Sequence, residues 1–126
     1  IKKILVQLVM NNLFPKIQLP EIIDQRGSLS FLESNNHIPF NIKSTSIITD
    51  LYNFKNSNEL KKNNDEFLVV LSGSLTVKVI NGNLDEIFIL NKPNIGLYIP
   101  RKLESNFIKF SPNAILLVLR SDSNEK

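Results

Sequence analysis

Short runs of apolar and β-branched residues, separated by turn residues, recur along most of the chain. In residues 28–33, apolar Leu29 and Phe31 alternate with polar Ser28 and Ser30, and this period of two is typical of a β-strand with one buried face. Such runs recur roughly every 8–12 residues, an interval typical of all-β sandwiches and barrels. The pattern therefore predicts an all-β, double-sheet jelly roll with one cavity and exposed edge strands.

The predicted strands are separated by residues that favour turns. They cover residues 17–23 with a break at Pro20, 28–33, 43–50, 66–71, 74–80, 85–90, 96–99, 107–110 and 114–120. The pair Asn81-Gly82 is a strong signal for a type I′ hairpin turn. No stretch of ten or more residues has a convincing helical period, and residues 53–65, rich in Asn and Lys, are predicted to form a long loop.

The length of 126 residues corresponds to about one domain. We expect this domain to span residues 14–122. Residues 1–13 are expected to form an N-terminal extension or an extra edge strand, and the charged residues 123–126 a frayed tail.

The N-terminus has a superficial likeness to a signal peptide, because two lysines precede an apolar run. Gln7 interrupts that run, and two asparagines follow it in place of a small-residue cleavage site. Met10 is the single methionine, so residues 1–9 can be an extension upstream of the natural start. We expect neither a targeting signal nor a membrane partner.

Composition and charge narrow the classes of function. Hydrophobic residues make up 42% of the chain and charged residues 21%, as in an ordinary globular protein. The absence of cysteine argues against a disulfide-stapled secreted domain and favours a cytoplasmic location. The net charge is only +3 and the lysines are scattered, so a nucleic-acid partner is not expected.

The scarcity of histidine excludes further chemistry. His37 is the only histidine, whereas a zinc site needs about three or four His, Cys or carboxylate ligands. A Ser or Cys nucleophile of the triad type needs a neighbouring histidine. We therefore expect no metal and no cofactor, with an unusual all-carboxylate metal site as the exception. His37 itself lies in a predicted loop, where a structural role is favoured.

Four segments carry a resemblance to a known family. They are Asp24-Gln25-Arg26-Gly27-Ser28-Leu29 with Ile38-Pro39-Phe40, then residues 66–74, Asn94-Ile95-Gly96-Leu97-Tyr98-Ile99-Pro100, and residues 117–122. In order and spacing they resemble the sugar-nucleotide 3,4-ketoisomerases, the WxcM-like cupins, over about residues 14–122. The resemblance implies a homodimer that often exchanges N-terminal strands. It also implies conversion of dTDP-4-keto-6-deoxyglucose to its 3-keto isomer without a metal.

The chain departs from this family at the catalytic positions. The family motif Arg-Gly-x-His-x-His falls on residues 56–61, so that its histidines correspond to Glu59 and Lys61. A further family histidine corresponds to Ser105, and a tyrosine pair falls near Thr45-Ser46. The resemblance thus implies a retained fold from which the histidine chemistry has been lost.

Glu59 and Lys61 are nevertheless the candidate catalytic residues. Keto–enol isomerisation needs a base and a donor to the enediol oxygen, and a carboxylate and an amine two residues apart can supply both. The alternative is that they belong to an ordinary solvated, charged segment.

Three residues are candidates for substrate binding. Arg26 follows a turn and can clamp a diphosphate, or it can fix that turn together with Asp24. Arg101 is a second candidate phosphate contact, with an ordinary surface charge as the alternative. Tyr98 can stack on a thymine or fill the core.

Three functions remain open on the sequence. The first is a relative of the ketoisomerases that has lost their chemistry but binds a dTDP-linked sugar or another carbohydrate. The second is an active isomerase or epimerase that uses Glu59, Lys61 or Tyr52 in place of histidine. The third is a protein-interaction module whose barrel is filled by apolar side chains.

Overall fold

A computed structural model of the chain describes residues 15–51 and 63–122. These residues form ten β-strands and no α-helix, which confirms the all-β prediction. The strands are β1 (Lys16–Gln18), β2 (Glu21–Asp24), β3 (Gly27–Ser30), β4 (Ser44–Ile48), β5 (Glu66–Ser72), β6 (Leu75–Asn81), β7 (Leu84–Leu90), β8 (Ile95–Ile99), β9 (Glu104–Phe110) and β10 (Ile115–Arg120). Residues 1–13 and 123–126, and most of the predicted loop at 53–65, lie outside the described residues.

The strands form two main sheets and one separate hairpin, all with antiparallel pairing. One sheet has five strands in the order β1-β8-β5-β10-β4, and the other has three in the order β7-β6-β9. The hairpin β2-β3 pairs only within itself among the described strands. Pro20 separates β1 from β2, as expected of a residue that lacks a backbone donor.

The predicted hairpin at Asn81-Gly82 is present, but its turn lies one residue further along the chain. Asn81 pairs with Leu84, so the central turn residues are Gly82 and Asn83. Gly82 has a φ of 66°, whereas Asn83 is not among the described residues with positive φ. A positive φ at the first central position alone corresponds to type II′ rather than to the type I′ turn that the sequence predicted.

Apolar side chains from both main sheets pack together between them, and we call this set the interior cluster. Its buried members are Leu51, Leu68, Val70, Leu75, Val77, Val79, Leu90, Leu97, Ile99, Ala114, Leu116 and Val118. Partly buried side chains that include Phe88, Leu103 and Phe107 pack against them. The space between the sheets is therefore largely filled by apolar residues.

A second apolar cluster covers the opposite face of the five-stranded sheet, and we call it the outer cluster. Its buried members are Ile17, Leu19, Ile38, Phe40, Phe67, Val69 and Leu119. Ile38 and Phe40 come from the segment that joins β3 to β4, which thus covers this face of the sheet. Because successive residues of a strand face opposite ways, β5 and β10 contribute alternately to the two clusters.

Candidate functional site

The inner face of the five-stranded sheet becomes polar at one end. Glu66 at the start of β5, Arg120 at the end of β10 and Ser46 in β4 each lie two residues from a side chain that belongs to the interior cluster or packs against it. The alternation of strand residues therefore directs all three toward the interior. The register pairs Arg120 with Glu66 across β10 and β5, and we call this end of the interior the Glu66 end.

These three side chains form one hydrogen-bonded cluster. Arg120 Nε donates to Glu66 Oε2 at 3.0 Å, and Arg120 Nη1 donates to Ser46 Oγ at 3.2 Å. The Arg120 side chain is 18% exposed and that of Glu66 is 7% exposed. An ion pair so far removed from water is retained only when its geometry is good, because each charge loses hydration energy on burial.

Arg120 has donor capacity beyond these two bonds. Within residues 15–51 and 63–122, its Nη2 atom makes no hydrogen bond. The described residues also contain no buried side-chain nitrogen or oxygen without a partner, so Nη2 is reached by solvent. The Glu66–Arg120–Ser46 cluster therefore offers a fixed, charge-assisted donor at the Glu66 end.

The three-stranded sheet adds polar residues at the same end. Val79 of the interior cluster pairs with Ser105 on β9 and with Glu86 on β7, so these two side chains lie on the inner face. Ser105 is partly buried and Glu86 is exposed. Ser105 occupies a position at which the resemblance places a histidine.

A second polar cluster joins the chain segments that flank β5, β8 and β10. Asp65 accepts a hydrogen bond from the backbone N–H of Arg101 at 2.9 Å, and Arg101 Nη2 donates to Ser121 Oγ at 3.2 Å. Arg101 Nε also lies 3.6 Å from Asp65 Oδ1, and the Asp65 N–H donates to Ser121 Oγ at 2.9 Å. Arg101, predicted as a phosphate contact, thus has extensive contacts within the protein that hold three strand ends together.

Tyr98 lies on the outer face of the sheet, next to the outer cluster. Its ring centroid is 6.2 Å from that of Phe40. Burial raises the pKa of Tyr98 to about 12, the negative charge of Asp65 adds to the rise, and Arg101 opposes it. These contacts match the core-filling alternative for Tyr98.

Arg26 lies in the turn of the β2-β3 hairpin and is 87% exposed. Its Nη2 donates to Asp24 Oδ2 at 2.7 Å, and its backbone N–H donates to Asp24 Oδ1 at 2.8 Å. The side-chain hydrogen bond from Arg26 holds the pKa of Asp24 below its ordinary value, and the same bond raises the pKa of Arg26. The pair fixes the turn and leaves Arg26 accessible to a ligand.

His37 has a local structural role. Its Nδ1 accepts a hydrogen bond from the Glu33 N–H at 2.9 Å, and its ring meets that of Phe31 edge-on with centroids 5.6 Å apart. His37 belongs to the segment that joins β3 to β4. These contacts agree with the structural role that the sequence favoured.

The predicted catalytic residues Glu59 and Lys61, as well as Tyr52, lie outside the described residues. In the described part of the chain, no group of three or more His, Asp or Glu side chains is placed to hold a metal ion. Among those same residues, no helix is long and apolar enough to cross a membrane.

A family model described as FdtA: WxcM-like, C-terminal matches residues 14–126. This match covers most of the sequence. The chain belongs to the WxcM-like family. The resemblance drawn from its four segments is therefore confirmed.

Individual relatives of this WxcM-like chain agree. It is 35% identical to a TDP-4-oxo-6-deoxy-α-D-glucose-3,4-oxoisomerase from Aneurinibacillus thermoaerophilus. The alignment of 107 residues covers 84% of this chain and 77% of the relative. The crystal structure of the TDP-quinovose 3,4-ketoisomerase WlaRB from Campylobacter jejuni is similar, with a TM-score of 0.73 and 36% sequence identity. The match covers 85% of this chain and 83% of WlaRB.

A third relative is of interest because of its ligand. It is a histidine-to-asparagine mutant of the 3,4-ketoisomerase QdtA from Thermoanaerobacterium thermosaccharolyticum, in complex with TDP-4-keto-6-deoxyglucose. The two structures have a TM-score of 0.71 and 28% identity, and they overlap over 88% of this chain and 81% of that chain. Together with the two sheets described above, these similarities confirm the prediction of a cupin-type fold.

The sequence had singled out neither Glu66 nor Arg120 as a site residue. A weak signal was present, because each is a charged residue at the end of an apolar strand run. Such residues are ordinarily solvated, and only the register between β5 and β10 shows that the two form an inward-facing pair.

Proposed function

We propose that this WxcM-like chain binds a TDP-linked 4-keto-6-deoxy sugar at the Glu66 end of its interior. The observation that supports this most directly is the inward-facing Glu66–Arg120–Ser46 cluster, a set of fixed polar groups beside an otherwise apolar interior. A few placed polar groups in a mainly apolar surrounding are typical of small-molecule sites. The relative QdtA in complex with TDP-4-keto-6-deoxyglucose indicates the ligand class.

We further propose that binding occurs without the histidine-based isomerisation implied by the resemblance. Ser105 stands at one of the histidine positions, and the single histidine of the sequence is held by Glu33 and Phe31. Proton transfer between neighbouring sugar carbons needs a base with a suitable pKa within reach of the substrate. Serine does not supply such a base at neutral pH.

A second candidate function is isomerisation with Glu59 as the base and Lys61 as the donor. It is favoured by the 35% and 36% identity to ketoisomerases over most of the chain.

The filled interior instead favours the interaction module that the sequence left open. The inward ion pair argues for a ligand, because a barrel that serves only as a scaffold gains little from buried charges.

For the nucleotide part of the ligand, Arg26 is the most accessible of the three predicted residues. Its guanidinium is largely exposed, and its planar donors suit a diphosphate. Arg101 and Tyr98 have contacts within the protein that a nucleotide would have to replace or share. We therefore assign Arg26 to phosphate binding, and Arg101 and Tyr98 to the support of the sheet beside the site.

We also propose that the chain forms a homodimer through the β2-β3 hairpin. Every residue of β2 is exposed, and Ile22, Ile23 and Leu29 are large apolar side chains without cover. A two-stranded hairpin is at best marginally stable in water, so this one needs a partner surface. The exposed edge strand β4, where Ile47 is 64% exposed, offers such a surface on a second copy.

Calorimetric titration tests the binding proposal, with TDP and TDP-4-keto-6-deoxyglucose as ligands. We expect both ligands to bind. If neither ligand produced heat on titration, the binding proposal would be contradicted.

Incubation with the keto sugar in deuterated water separates the two candidate functions. Exchange at the carbon next to the ketone that is abolished by Glu59→Gln would establish the isomerase; no exchange despite binding agrees with loss of the chemistry.

A further inference from the structure

We infer that Arg120 contacts the keto sugar itself, by donating from Nη2 to an uncharged oxygen of the sugar ring, either its carbonyl or a hydroxyl. This inference rests on the proposed function and adds the residue that would select the sugar half of the ligand. It follows from the position of Arg120, from the donors left after its internal bonds, and from its charge balance.

The position of Arg120 is fixed on both sides. Its strand β10 lies between β5 and β4 in the sheet, and one neighbour supplies Glu66 while the other supplies Ser46. Two hydrogen bonds on different nitrogens hold the plane of the guanidinium. A donor held in this way loses little conformational freedom when a ligand binds, which favours affinity.

The direction of the remaining donor follows from the strand geometry. Arg120 shares the inner face of β10 with Leu116 and Val118 of the interior cluster. Its Nη2 has no hydrogen bond among the described residues and is accessible to solvent. Its open donors therefore lie at the polar end of the interior, where Ser105 and Glu86 face inward from the opposite sheet.

The charge balance selects an uncharged oxygen over a phosphate. Glu66 lies 3.0 Å from Arg120 Nε and compensates its positive charge. A phosphate placed at Nη2 would gain one attraction and meet the repulsion of the Glu66 carboxylate, where little water screens it. A ketone or hydroxyl oxygen has no net charge to be repelled, yet accepts a bond that is stronger than a neutral one.

The test compares two ligands in two variants of the full chain. Glu66→Met/Arg120→Met removes the donor together with its buried counter-charge and conserves much of the side-chain volume. Arg120→Lys keeps the charge but replaces the planar fork, whose separate nitrogens bond Glu66 and Ser46, with a single nitrogen. Lys78→Gln is the matched control, because Lys78 lies between inward-facing Val77 and Val79 and so faces outward.

We expect the double variant to lose affinity for TDP-4-keto-6-deoxyglucose by about tenfold or more, as for loss of a charge-assisted hydrogen bond. Its affinity for TDP should stay within about twofold of the parent chain. Arg120→Lys should also lose more affinity for TDP-4-keto-6-deoxyglucose than for TDP, but by a smaller factor than the double variant. Lys78→Gln should bind both ligands with the affinity of the parent chain.

Other outcomes overturn the inference. Unchanged binding of the keto sugar by both variants would show that Arg120 does not touch it. Equal losses for both ligands would assign the ion pair a purely structural role. If the parent chain binds neither ligand, the proposed function itself fails. Should the double variant not fold, the comparison of ligands in Arg120→Lys decides alone.

Discussion

Phe67 crosses over Gly96 on the outer face of the five-stranded sheet. A Cβ atom added at Gly96 would overlap the Phe67 ring and lie 2.8 Å from the Leu68 carbonyl oxygen. Gly96 has no unusual φ, so glycine is required here by space rather than by backbone conformation. Phe67 is fully buried because the neighbouring strand leaves room for its ring.

Gly96→Ala should therefore lower the free energy of unfolding by about 1–3 kcal/mol, the usual cost of overpacking a tight core. Denaturant unfolding followed by circular dichroism measures it. Combining the change with Phe67→Leu should cost less than the sum of the two single changes, since the smaller side chain makes room for the methyl group. Strictly additive losses would show that the ring is not what restricts this position.

Removing one partner of the Glu66–Arg120 pair should destabilise the fold more than removing both. Arg120→Ala removes the positive charge that lies 3.0 Å from the buried Glu66 carboxylate, and we expect a loss of up to about 3 kcal/mol. Glu66→Met/Arg120→Met should recover most of this loss, because neither charge of the pair remains. Chemical denaturation of the three chains measures the difference. Equal stability of the single and double variants would contradict the buried ion pair.

The protein should lose stability at high pH through Tyr98. In the folded chain its pKa is raised to about 12 from the ordinary 10.0, so the folded state holds the proton more tightly than the unfolded state. Stability is then fully present below pH 10 and falls as the pH rises from there toward 12. Tyr98→Phe should remove this component of the alkaline decline.

Ultraviolet titration of phenolate formation provides the measurement. The chain has two tyrosines, so Tyr52→Phe leaves Tyr98 as the only group observed. This control variant should titrate near pH 12 while folded. A midpoint near 10 would show that Tyr98 is neither buried nor affected by Asp65.

A charge on the exposed hairpin should disrupt the proposed dimer. Ile23 is 71% exposed, and Ile23→Lys would place an ammonium group within the apolar surface that we assign to the second copy. Light scattering after size exclusion should show a dimer for the parent chain and a monomer for the variant. Ile108→Lys is the control, because Ile108 is exposed on the three-stranded sheet, to which the hairpin does not belong. A monomeric parent chain would rule out this assembly.

Local sequence patterns predicted the strands well because strand formation depends on period and turn residues. The break at Pro20 and the hairpin near Asn81 are local effects that need no knowledge of distant residues. The Glu66–Arg120 pair depends instead on the register between strands 54 residues apart. Tyr98 illustrates a third case. Successive residues of a strand face opposite sides of the sheet, but the sequence does not tell which of the two sides is the inner one. Cross-strand geometry is what the sequence alone could not supply.

The two-sided burial of β5 has a consequence for the order in which the protein opens. Residues Glu66 to Val70 are all buried, with the interior cluster on one side and the outer cluster on the other. Detaching the segment around Ile38 and Phe40 uncovers only one of those sides. The amide protons of β5 should therefore exchange with solvent only through global unfolding, whereas those of β2 and β3 should exchange through small local openings.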